Sequence, residues 1–140
     1  MSNMSEQKAD QTLRDSAGQV TERDIETVLT KEQEIKQKVR GSGTLQVYFD
    51  AVLSMYALIK AYWQGEYREI PWFTIAAIVA ALLYVFNPMD FFPDMLPVVG
   101  LIDDAMVIAT CVKLVKQDLA KFERWQHSPE SPAGSRDPEA

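Results

Sequence analysis

The stretch IPWFTIAAIVAALLYVFNPM, Ile70 to Met89, runs for 20 residues without a charge. Its regular part, Trp72 to Phe86, predicts a helix that is apolar on every side. Such a helix has to be enclosed, either by other helices or by lipid. About 15 residues at 1.5 Å per residue reach roughly 22 Å. That is short of the roughly 30 Å hydrocarbon core of a bilayer unless Asn87 to Phe92 continue the span.

The charges around this run favour lipid. No Lys or Arg occurs from Glu69 to Val112, while Glu69, Asp90, Asp94, Asp103 and Asp104 all lie there. Lys60 and Arg68 precede the gap, and Lys113, Lys116, Lys121 and Arg124 follow it. A helical hairpin with both ends on the cytoplasmic side of an inner membrane carries its bases in this way. Tyr67, Trp72 and Phe73 at one end, with Tyr84, Phe86, Phe91 and Phe92 at the other, have the character of interfacial aromatic anchors. A shallow or re-entrant hairpin suits the short helices better than two full spans. The alternative is a cytoplasmic helical domain with this run as its central core element, because a fully buried helix needs no charge either.

The run leads into NPMDFFPDMLPVVGLIDD, Asn87 to Asp104, with four aspartates, three prolines, one glycine and no base. Asn87-Pro88-Met89-Asp90 has the order of a helix start: an N-cap residue, a proline at the first position, then an acid. Pro93 ends that turn, Pro93-Asp94 opens another, and Pro97 with Gly100 breaks the chain again. Asp103 or Asp104 then suits the start of the last helix, where carboxylates accept backbone N–H bonds. The structural reading is therefore that backbone N–H groups hold these acids without a basic side chain. A sharper reading makes Asp90, Asp94, Asp103 and Asp104 ligands for Mg²⁺ or Ca²⁺, or a proton-handling group. Their spacing is not that of an EF-hand.

The remainder predicts an all-α protein of about four helices, the last two forming a hydrophobic hairpin through the Asp/Pro connection. Residues 1–20 are polar and predict a disordered segment. Thr21 with Asp24 resembles a capping box and opens an amphipathic helix with Ile25, Val28, Leu29, Ile35 and Val39 on one face. Glu32 interrupts that face, and Gly41-Ser42-Gly43 ends the helix. A second helix, Thr44 to Gln64, carries a broad stripe from Leu45 to Trp63 and stops at Gly65. The last helix runs from near Asp103 to about Trp125, with Ile108, Val112, Val115, Leu119 and Phe122 on one face. Residues 126–140, with three prolines, predict a disordered tail. The helical domain is thus 21–125.

Little supports conventional catalysis. The single cysteine, Cys111, sits among apolar neighbours, and the single histidine, His127, lies in the tail. Together they make neither a disulfide nor a zinc site. No phosphate-binding glycine loop occurs. The net charge of −6 argues against a nucleic-acid footprint. No apolar leader resembling a secretory signal opens the chain.

Three segments, GEYREIPW, AALLYVFNPMDFFPDMLPVVGLIDDAMVI and CVKLVKQDLAKFERW, together resemble the YkvA-like family of small, mostly bacterial proteins, a domain of unknown function. The family pattern falls on Tyr84, Pro88, Asp90, Pro93, Asp94, Pro97, Gly100, Asp103 and Asp104. Its best-matching core is 67–108. Phe91-Phe92 replaces the commoner Leu-Ile pair and keeps the position apolar. The resemblance implies a membrane-associated helical protein and no known reaction, substrate or cofactor. The expected function is a non-enzymatic structural or adaptor role at a membrane. The alternatives are cation or proton handling by the aspartates, or a soluble interaction module using the second helix's stripe. The expected partner is a membrane, with a protein partner or a second copy of the chain as the alternative.

Overall fold

The computed structural model describes residues 4–87 and 104–129. Among them the chain is entirely helical, with six α-helices: α1 Met4–Ala17, α2 Glu22–Thr30, α3 Glu32–Gly41, α4 Phe49–Trp63, α5 Trp72–Phe86 and α6 Asp104–Gln126. A short 3₁₀ turn, Gln46–Tyr48, leads into α4.

The apolar run forms α5 with the predicted bounds, and α5 is the axis of the fold. Every side chain from Thr74 to Val85 is buried. The walls are α1, α2, α3 and α6, each packed against α5, while α4 closes the outside against α2, α3 and α6. No described helix is long and apolar enough to cross a membrane. The run therefore satisfies its need for enclosure with the chain's own helices. Packing of α5 against α6 agrees with two adjacent helices, but the connection that would make them a hairpin, residues 88–103, lies outside the described residues.

The helix count of about four is corrected in two places. Residues 4–17, whose polar composition predicts disorder, form α1. This helix buries Ala9, Thr12, Leu13, Ser16 and Ala17, spaced along one face against α5 and α6. Small side chains carry little hydropathy, so that face is nearly silent in sequence. The second correction is at Lys31, where the single predicted amphipathic helix divides into α2 and α3. The backbone there lies at φ −93° and ψ 14°. Just before it, Thr27 and Thr30 donate their hydroxyls to the carbonyls of Arg23 and Glu26, four residues back. Such back-bonding bends helices. The start of α2 is as predicted: the Thr21 N–H donates to Asp24 Oδ2 at 2.9 Å, closing the capping box.

Glu32, the residue that interrupts the stripe, is only 9% exposed. Its carboxylate accepts from Lys36 one turn on and from Lys60 of α4 at 2.8 Å, so it fastens α3 to α4. Beside it, Tyr56 of α4 donates its hydroxyl to the carbonyl of Val28 at 3.0 Å. Burial disfavours the charged carboxylate, and the two lysines outweigh that, holding Glu32 below the ordinary carboxyl range. Burial, with the Glu32 charge added, pushes the Tyr56 phenol upward.

Helix α4 ends in a Schellman motif. Gly65 has φ +80°, Glu66 N–H donates to Ala61 O at 2.9 Å, and Gly65 N–H donates to Tyr62 O at 3.1 Å. Only glycine adopts that backbone without strain. The final helix extends to Gln126, one residue into the predicted tail, and residues 130–140 lie outside the described residues.

Glu32→Gln removes the charge that both lysines share, and we expect a loss of about 1–2 kcal/mol at pH 7. Because the folded pKa is depressed, this contribution is complete above the ordinary value of 4.5 and disappears as pH falls through the lower folded value. Urea titrations of both proteins across pH 3–7 should therefore converge at the acid end. A constant gap would overturn the assignment.

Candidate functional site

The two ends of α5 differ in chemistry. At its C-terminal end, Asn87 N–H donates to Leu83 O at 2.9 Å, and the acidic connection begins. Lys38 of α3 reaches this end and donates to the carbonyl of Val85 at 2.6 Å and that of Phe86 at 3.3 Å. Lys31 stands 5.5 Å from the Phe86 ring centroid. Both cations lie at the negative end of the helix dipole, and Lys38 bonds carbonyls of the last turn of α5. Sequence spacing gives no sign of this, since Lys38 and Val85 are 47 positions apart.

Of the aspartates in the connection, Asp90, Asp94 and Asp103 lie outside the described residues, as do Pro88, Pro93, Pro97 and Gly100. Asp104 is described only as the first residue of α6. Tyr84, the remaining family-pattern residue, is buried in α5. Among the described residues no three His, Cys, Asp or Glu side chains gather to hold a metal.

The N-terminal end of α5 is aromatic and exposed. Trp63, at the end of α4, is 37% exposed, and Trp72 and Phe73, at the start of α5, are 41% and 40% exposed. Tyr62 joins them, its ring centroid 6.4 Å from that of Trp72. Two arginines lie on this surface: Arg68 is 4.4 Å from the Tyr62 centroid and Arg14 of α1 is 5.7 Å from that of Phe73. Tryptophan and tyrosine are enriched where proteins meet a membrane–water interface.

Of the predicted anchors at this end, Trp72 and Phe73 are surface residues and Tyr67 is not. Tyr67 is buried against Phe122 at 5.2 Å and Trp125 at 4.9 Å, pinning the α4–α5 connection to α6. Trp63, read from sequence as the end of the second helix's broad apolar stripe, belongs to the exposed group. Much of that stripe (Val52, Met55, Tyr56 and Ile59) is spent inside the chain's own core.

Neither polar group inside the α5–α6 interface is arranged as a nucleophile. The Thr74 hydroxyl donates to Asp118 Oδ2 at 2.5 Å, a tie between the two helices. Cys111 is fully buried, its thiol 3.7 Å from the Ala77 carbonyl, and burial pushes its pKa up to about 12. It stays protonated and shielded near neutral pH.

Residues 74–110, from the first turn of α5 into α6, match the family described as "Protein of unknown function (DUF1232)". The chain is also 29% identical over 75 residues to a Bacillus subtilis (strain 168) protein named "Uncharacterized membrane protein YkvA", covering 54% of this chain and 71% of that protein. Both findings bear out the resemblance to YkvA-like proteins, a family of unknown function. No solved structure matches the chain.

Lys38→Met keeps the aliphatic stem and removes the donor from the end of α5. We expect it to lower stability by about 1 kcal/mol, read as a shifted urea midpoint with an unchanged slope. An unaltered midpoint would show that the carbonyls of Val85 and Phe86 find equivalent partners without it.

Proposed function

We propose that this chain is a small membrane-associated helical protein with a non-enzymatic structural or adaptor role. It rests on the bilayer surface at the cytoplasmic side through its Trp63–Trp72–Phe73 end. The observation that carries the reading is that exposed aromatic end with Arg14 and Arg68 upon it. A relative named as a membrane protein supports the location. Enclosure of Thr74–Val85 favours surface attachment over spanning, since α5 has no side free to face lipid.

Fractionation of native cells tests this directly. The chain should sediment with membranes and be released by an alkaline wash. Full recovery in the soluble fraction before the wash would end the proposal. Replacing Trp63, Trp72 and Phe73 together by Ser should lower binding to phospholipid vesicles at least about tenfold, because bound apolar area sets such affinities.

One observation favours a second reading. A chain that encloses its own greasiest helix is built like a soluble interaction module. A monodisperse preparation without detergent that ignores vesicles would support that reading over the first.

A further inference from the structure

We infer that the outer face of α6 is a cationic track for anionic phospholipid headgroups, which lays α6 along the bilayer beside the aromatic end. The inference deepens the surface-attachment reading and rests on it.

Helix geometry builds the track. With about 100° between successive residues, Lys113, Lys116, Lys121 and Arg124 fall within about 140° of the helix circumference. All four are exposed. They stand opposite Val115, Leu119 and Phe122, which are buried. Only Gln117 and Ala120 share the arc between them. The two acids of this stretch lie outside it and are engaged by other helices: Asp118 accepts from the Thr74 hydroxyl and Glu123 from that of Ser54. None of the four cations forms an ion pair with another described residue. The whole chain carries −6. One face of an acidic protein thus keeps four unshared positive charges and a local attraction for anions.

The chemistry of the arc selects the occupant. A protein partner is held mainly by large aromatic or Arg anchors in desolvated pockets, and here the only apolar side chain between the cations is Ala120. A layer of anionic headgroups needs only charge, and each Lys or Arg near it contributes about fivefold in affinity. Position separates lipid from other polyanions, because the track runs into the aromatic end on two sides. Lys113 and Lys116 line a cleft of 520 Å³ with Asp10 of α1. Asp10 is ion-paired to Arg14, and Arg14 lies 5.7 Å from the Phe73 centroid. Farther along α6, Phe122 and Trp125 pack on Tyr67, which sets Arg124 beside the connection leading to Trp72.

The test uses the full chain and vesicles of phosphatidylcholine, with and without phosphatidylglycerol. Phosphatidylglycerol should tighten binding at least about tenfold. Raising salt from about 0.05 M to about 0.5 M should remove most of that gain. The pairs Lys113→Gln/Lys116→Gln and Lys121→Gln/Arg124→Gln should each weaken binding at least about tenfold. A charge-matched control on exposed bases of α1 and α2, Lys8→Gln/Arg23→Gln, should stay within about twofold.

Equal binding to both lipid compositions, or track variants that match the control, overturns the track. The aromatic attachment then still stands if replacing Trp63, Trp72 and Phe73 by Ser abolishes binding. Loss confined to the Lys121/Arg124 pair overturns the lengthwise orientation. Binding to duplex DNA as tight as to the anionic vesicles overturns lipid as the occupant. A wild type that binds no vesicle overturns the track and the attachment reading together.

Discussion

A helix with no polar face cannot end at a boundary with water, and this single constraint organises the molecule. Helix α5 carries Ile75, Ile78, Val79, Leu82, Leu83 and Val85 around its whole circumference, all buried. Full burial of one such side chain contributes about 1.5–3 kcal/mol. A gap on any side therefore forfeits more than a surface interaction returns. Four helices wrap α5 as a result, and their own apolar stripes need only be one-sided. Its polar ends are closed differently: Thr74 is tied to Asp118 at the start, and Lys38 meets the terminal carbonyls at the finish.

Enclosure moves any contact with lipid away from the run that first suggests it. The greasiest residues are spent inside, and the surface character lies with the aromatic side chains at the start of α5 and the end of α4. Among the walls, α1 differs in kind. It covers the core with small residues and one Leu, and leaves the hydroxyl of Thr12 unpaired. The other walls have large aliphatic anchors, and α3 is further fastened by Glu32 between Lys36 and Lys60.

Local signals in the chain translated well. The bounds of α5 follow from Pro71 and the uncharged run, the start of α2 from Thr21 and Asp24, and the stop of α4 from Gly65. Each depends on contacts within a few residues. Apart from the break at Lys31, which lies beside the back-bonded Thr27 and Thr30, the misreadings depend on distant partners. Helix α1 looks disordered because its packing face is Ala, Thr and Ser, and only the apolar α5 beneath makes that face worth burying. Glu32 looks like a flaw in a stripe because Lys60 lies 28 positions away. Tyr67 looks like an interfacial anchor because nothing nearby in sequence announces Phe122 and Trp125. At the candidate site, Trp72 and Phe73 were legible as anchors, while Trp63 was one of many residues in a broad apolar stripe and Arg14 lay in a stretch read as unstructured.

By itself, the sequence determined that the protein is helical, where α5 begins and ends, and that α5 must be surrounded. These follow from backbone caps and hydropathy, which act over a turn or two. What surrounds α5 was decided only by the tertiary structure. A bilayer and a ring of amphipathic helices satisfy a charge-free helix equally well, and hydropathy does not distinguish them. The ring exists because small and one-sided helices far apart in the chain fit the same apolar axis, and that fit is a property of three-dimensional packing.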